Sequence, residues 1–290
     1  MNTLLKQLKP YPFARLHEAM QGISAPEGME AVPLHIGEPK HPTPKVITDA
    51  LTASLHELEK YPLTAGLPEL RQACANWLKR RYDGLTVDAD NEILPVLGSR
   101  EALFSFVQTV LNPVSDGIKP AIVSPNPFYQ IYEGATLLGG GEIHFANCPA
   151  PSFNPDWRSI SEEVWKRTKL VFVCSPNNPS GSVLDLDGWK EVFDLAGQIW
   201  FHYCLGRMLF RNLFRRQQAF GLPAGRCTVG AKQAKTAYVH QFVQAVQCSR
   251  PAFRFCRRAM PNCLKIFCLQ NLSRQRNEHS RAARKHCRLG

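Results

Sequence analysis

Residues 170–181 read Leu-Val-Phe-Val-Cys-Ser-Pro-Asn-Asn-Pro-Ser-Gly. The first five are a short continuous apolar run, the pattern of a strand buried on both faces of a sheet. The next seven are turn chemistry. Pro176 and Pro179 fix the backbone, and Gly181 allows a bend that other residues resist. The turn therefore holds Asn177 and Asn178 rigidly at the carboxyl end of a strand, where open α/β sheets bind ligands. Asn and Pro are also common turn formers, so a plain turn is the alternative reading.

Upstream, helical and strand periodicities alternate. Pro68 to Tyr82 opens with Pro and Glu and carries one apolar stripe of Leu70, Cys74, Trp77, Leu78 and Tyr82. Glu92 to Leu97 is a short strand that Pro95 places at an edge or break. Gly98 ends it, and Ser99 opens a helix with a buried stripe of Leu103, Phe106, Val107, Val110 and Leu111. Ala121 to Val123 is a second buried strand, and Glu142 to Phe145 a third after three glycines. Leu186 to Leu195 is a helix with Trp189, Val192 and Phe193 facing in. The alternation predicts an α/β fold, a mostly parallel sheet flanked by helices.

Two more turns carry chemistry. Gly98-Ser99-Arg100 lies at a strand-to-helix junction, where free N–H groups and the helix dipole attract an anion such as phosphate. On this turn alone an ordinary capped helix is the plainer reading. In Pro127-Phe128-Tyr129-Gln130-Ile131-Tyr132, an aromatic at a strand end can lie flat on a planar ring, although aromatics there are more often core.

Composition divides the chain near Gln198. Residues 1–198 hold 17 Lys and Arg against 23 Asp and Glu, and residues 199–290 hold 18 against one acid, Glu278. Seven of the ten cysteines lie in the second part, and no Asp follows Asp194. An overall hydrophobic content of 44% excludes wholesale disorder. No apolar run approaches the roughly 18 residues of a membrane span. The first ten residues lack the apolar block of a secretory signal, so a cytoplasmic location is expected.

Taken in order, these segments resemble the class I, fold-type I pyridoxal-phosphate aminotransferases over residues 1 to about 198. Leu34-His35-Ile36-Gly37-Glu38-Pro39, with Pro42-Thr43-Pro44, resembles the family's N-terminal segment, which implies that Gly37 lies against the substrate carboxylate. Tyr61 with Gly66-Leu67-Pro68-Glu69-Leu70-Arg71 resembles a second motif, whose Tyr reaches the cofactor phosphate of a neighbouring subunit. The resemblance further implies Ser99 and Arg100 as phosphate contacts, Tyr129 as the ring-stacking aromatic and Asn178 as the hydrogen-bond donor to the ring oxygen. It implies residues 1–45 as the N-terminal part of a small domain and 46–198 as the first part of the cofactor-binding large domain. It also implies a homodimer. Within the family the likeness is strongest to bacterial enzymes of lysine biosynthesis acting on succinyl-diaminopimelate, with glutamate and 2-oxoglutarate as the amino-group pair.

In the family, the Lys that holds the cofactor, the Asp at its ring nitrogen and two further Arg follow the Asn-containing turn. Here that region is the basic tail. Lys232, Lys235, Lys265 and Lys285 stand in no Ser-x-x-Lys context, so no catalytic residue is assigned. The tail instead resembles the family's second half read in the wrong frame. Reading one base later, codons for residues 199–203 permit Tyr-Gly-Phe-Ile-Ile and those for 206–210 permit Asp-Glu-Cys-Tyr. Those for 241–245 permit Ser-Leu-Ser-Lys and those for 251–255 permit Leu-Arg-Ser-Gly-Phe. The expectation is a non-native, poorly ordered tail over 199–290, an inactive chain, and a sheet exposed at one edge for want of its later strands.

The rival reading is a nucleic-acid-binding segment, given the tail's charge and interspersed aromatics. Non-specific polyanion binding is the only such partner expected. Cys256, Cys263, Cys268, His279, His286 and Cys287 contain no C-x-x-C pair, so no metal is assigned. A disulfide framework needs an oxidising compartment, for which no targeting signal is seen.

Overall fold

The structure is a computed structural model and describes residues 3–35, 41–59, 61–81, 86–111, 117–199, 202–207, 236–241 and 254–257. The chain runs through α1 (Pro12–Ala19), α2 (Lys45–Ala53), α3 (Pro68–Arg81), β1 (Ile93–Val96), α4 (Ser99–Val110), β2 (Ala121–Asn126) and α5 (Ile131–Leu138). It continues through β3 (Glu142–Asn147), α6 (Glu162–Arg167), β4 (Thr168–Cys174), α7 (Leu186–Ile199), β5 (His202–Arg207), β6 (Thr236–Gln241) and β7 (Arg254–Arg257). Among the described residues these strands form one seven-stranded sheet in the order β1-β7-β6-β5-β4-β2-β3.

Strands β3, β2, β4, β5 and β6 are mutually parallel, and β7 runs antiparallel to both β6 and β1. Two reversals restore the direction, so β1 points the same way as the parallel set. The carboxyl ends of β1, β2 and β4 therefore share one rim of the sheet. Pro95 sits on β1, which is an edge strand as expected. Pro125 lies in the interior strand β2 and is tolerated because β2 pairs with β4 only as far as Val123.

The period-two alternation of β4 decides the layers. Leu170 and Phe172 join α4, α5 and β1 in one cluster with Leu103, Phe106, Val107 and Ile122. Val171 and Val173 face the opposite cluster of Trp157, Trp165, Trp189, Val192 and Phe193 under α6 and α7. Both faces are covered, as a continuous apolar strand requires. Tyr132 stacks on Phe172 with centroids 3.9 Å apart, and Phe128 stacks on Phe145 at 4.6 Å. A third cluster seats Leu70, Cys74 and Leu78 of α3 against Ile93. Tyr82 lies outside the described residues.

The expected bare edge on β4 is not what the backbone shows. β5 pairs with β4 from Leu170↔His202 to Cys174↔Gly206, and β6 and β7 continue to β1. A ladder satisfies backbone N–H and C=O groups and does not ask which side chains the strand carries. An open edge is a template for extended chain. The parts of 202–257 that the structure describes occupy that template.

Candidate functional site

Three turns gather on the rim. At the first, Gly98 caps α4 in an extended conformation with φ −164° and has no side chain to occupy the helix end. A Cβ at Gly98 would collide with the Glu101 carboxylate, which folds back over it. Ser99, the first helical residue, is buried. The Glu101 carboxylate stands over this helix end, so an anion reaches its N–H groups and Ser99 once that side chain turns aside.

At the second, Tyr129 follows β2. Arg100 Nε donates to the Tyr129 hydroxyl at 3.1 Å, and the guanidinium carbon stands 5.7 Å from the ring centroid. The Tyr129 hydroxyl raises the Arg100 pKa above its ordinary value, burial opposes the rise, and the Tyr11 hydroxyl adds to it. The ring of Tyr129 meets Tyr132 edge-on, with centroids 5.9 Å apart. Thus Tyr132 is buried in the core, and Phe128 and Tyr129 are both partly buried against the same cluster, Tyr129 with its hydroxyl on Arg100.

At the third, the turn after β4 is tightly tied. The Asn177 N–H donates to Ser182 O, and the Gly181 N–H to Asn177 O, each at 2.8 Å. Gly181 adopts φ 74°, the left-handed bend that only glycine takes without strain. The Asn178 N–H lies against Cys174 Sγ, whose own pKa is pushed up to about 11 by burial. Asn177 is 3% exposed, and its Oδ1 is buried with no hydrogen-bond partner.

The structure thus joins Ser99, Arg100 and Tyr129 and places Asn178 on the same rim. Tyr61 is 80% exposed. Gly37 lies outside the described residues, as do the four tail lysines. The tail's candidate metal ligands are likewise beyond the residues whose side chains are described. Sequence reasoning missed Tyr11. Its flanking Pro10 and Pro12 announce a stiff approach to α1, but nothing local links it to residue 100. The approach is pinned by Lys9, whose Nζ pairs with Glu133 at 2.8 Å.

Residues 30–201 match the family described as aminotransferase class I and II, more than half of the chain. The chain belongs to that family, whose cofactor is pyridoxal phosphate. It is 35% identical over 195 residues to an LL-diaminopimelate aminotransferase of Moorella thermoacetica, covering 66% of this chain and 48% of that enzyme. The chain therefore spans about half the length of the curated relatives it matches. A crystal structure of an aminotransferase from Neisseria meningitidis superposes with a TM-score of 0.90 at 70% identity, covering 99% of this chain and 73% of that one. The Helicobacter pylori aminotransferase AspB superposes at 0.84 with 28% identity, covering 96% of this chain and 72% of that one. No helix among the described residues is long and apolar enough to cross a membrane.

Proposed function

We propose that residues 1–198 are the cofactor-cradling half of an amino-transfer enzyme, and that this chain, as translated, does not complete it. The observation that carries the first claim is the shared rim. A buried serine and a guanidinium at the N-terminus of α4, a tyrosine after β2 and an amide turn after β4 face one side of the sheet. These residues fit pyridoxal phosphate. The start of α4 with Ser99 and Arg100 suits the phosphate. The Tyr129 ring suits the flat face of the pyridine, and the turn of Asn178 supplies an amide to the ring oxygen. The orphaned Asn177 Oδ1 marks that turn as short of one donor. Bound pyridoxal phosphate supplies the electron sink for moving an amino group.

On this reading two groups are missing: the Lys that would hold the cofactor and move the proton, since Lys232, Lys235, Lys265 and Lys285 stand in no Ser-x-x-Lys context, and the Asp at the ring nitrogen, since no Asp follows Asp194. The wrong-frame reading of the tail accounts for this. Each shifted motif abuts a strand. Asp-Glu-Cys-Tyr falls at the end of β5, Ser-Leu-Ser-Lys just after β6, and Leu-Arg-Ser-Gly-Phe leads into β7. The end of β5 is beside the end of β4, next to the Asn178 turn. The match in identity also supports it: 70% over 99% of 290 residues is about 200 identities, close to the length of the part before the change in composition. The family match stops at residue 201.

The restored enzyme transfers the amino group of a diaminopimelate-type substrate, in our reading its succinyl derivative, to 2-oxoglutarate in the cytoplasm. The curated relatives carry the name of the unmodified LL-diaminopimelate reaction. The tail of the present chain, with its excess of basic residues, contributes only salt-sensitive polyanion binding. The test is to express the present chain and one in which the frame is restored just before Ile199, and to measure glutamate formation from 2-oxoglutarate with each amino donor. Turnover by the present chain overturns the inactivity. A restored chain that uses only the unmodified substrate removes the succinyl assignment and leaves the rest.

A further inference from the structure

Phe153 is the one non-glycine residue with positive φ among the described residues, at 52°. Its side chain is 47% exposed, so burial of the ring does not hold it there. For a bulky residue this conformation is strained, and strain of this kind persists only where neighbours over-determine it. The neighbours are hydrogen bonds. The Phe153 N–H donates to Pro149 O at 2.9 Å, and its carbonyl accepts from Ser182 Oγ at 2.8 Å. Ser182 Oγ stands 3.0 Å from Ser180 Oγ, and Asn177 Nδ2 donates to Ser180 Oγ at 3.1 Å.

These contacts have a direction. A carbonyl only accepts, so the Ser182 hydroxyl proton is committed to Phe153. The hydrogen between the two serines must then come from Ser180, which frees Ser180 Oγ to accept from the Asn177 amide. The amide is thereby oriented with Nδ2 toward Ser180, leaving Oδ1 as the buried orphan acceptor. We propose that Phe153 is a positioning residue: its strained carbonyl, acting through Ser182 and Ser180, sets the orientation of the Asn177 amide and tethers the Asn177–Asn178 turn to the loop after β3. The inference rests on the reading of that turn as the cofactor's amide contact. Its test uses no cofactor, so the two fail separately.

The test is residue-resolved amide hydrogen exchange on the full chain. Ser182→Ala is expected to speed exchange of the Asn177, Gly181 and Phe153 amides together, by about ten-fold, the worth of one hydrogen bond. Ser182→Thr, which keeps the hydroxyl, is expected to restore the parental rates. Phe153→Gly, at an exposed side chain, keeps the carbonyl but removes the restriction on its direction, and is expected to speed exchange at Gly181. The proposal is overturned if Ser182→Ala leaves the Phe153 amide unchanged, or if Ser182→Thr behaves as Ala does. Should the alanine variant fail to fold, an unchanged Gly181 rate in Phe153→Gly overturns it equally.

Discussion

Replacing Arg71 by Leu should loosen the turn that carries Gly66 and Tyr61, and the structure sets the size of the effect. Arg71 is buried at the start of α3, its side chain 10% exposed. Nη1 donates to Ala65 O at 3.1 Å and Gly66 O at 3.0 Å, and Nη2 to Asp90 Oδ1 at 2.7 Å. The two bonds from a charged donor to these carbonyls contribute about 1.5–3 kcal/mol each. Asp90 is 76% exposed, so its ion pair adds less than about 1 kcal/mol. Against this, Arg71 Nε is buried without a partner, a cost of about 1–3 kcal/mol that the substitution removes. The net loss is about 3 kcal/mol. Urea denaturation followed by tryptophan fluorescence should show a lower midpoint with unchanged slope. Amides of residues 63–67 should exchange faster than those of α4. Arg71→Lys should recover less than half, since one ammonium cannot span three acceptors on two sides. A leucine variant within about 0.5 kcal/mol of the parent, the range of an ordinary surface change, refutes the clamp.

Gly66→Ala should cost about 1–2 kcal/mol, because Gly66 has φ 75° and an added Cβ would stand 2.7 Å from Pro95; a denaturation midpoint equal to the parent's contradicts this. Stability should fall with acid in two stages. His144 is held below its ordinary 6.5 by burial first and by Arg167 second, so its contribution is complete above that pH and is lost as pH falls through the lower folded value. Glu142 is held below 4.5 chiefly by the hydrogen bond from Arg167, so its contribution is lost only in more acidic solution. His144→Gln should remove the first stage and Glu142→Gln the second, read from denaturation midpoints against pH. Among the cysteines of residues 1–198, Cys148 should react with a thiol reagent before Cys74 and Cys174, which are buried; mass mapping of early label on Cys174 contradicts its raised pKa.

Much of the architecture was legible because it is local. The stripe on α4, the run at Leu170–Cys174 and the proline in β1 each express a period or a constraint that operates within a few residues. The turn residues were legible for the same reason. Short helices were not. α5 and α6 span eight and six residues, and α5 opens within the aromatic segment that read as a strand end. The partnership of Arg100 with Tyr129 was hidden because it joins residues 29 apart. Each had been given a separate role, phosphate and ring, and the fold makes one support the other. The pairing of β5, β6 and β7 was hidden for a different reason. Composition argues from side chains, whereas a sheet edge recruits backbone.

The central claim is that this chain carries the cradle of an aminotransferase without its lysine. The direct measurement is to incubate the full chain with pyridoxal phosphate, reduce with borohydride and map any cofactor-bearing lysine by mass spectrometry. The account predicts sparse, substoichiometric label scattered over exposed lysines, and stoichiometric label of a single new lysine once the frame is restored before Ile199. Stoichiometric label at one of Lys232, Lys235, Lys265 or Lys285 in the present chain would contradict it.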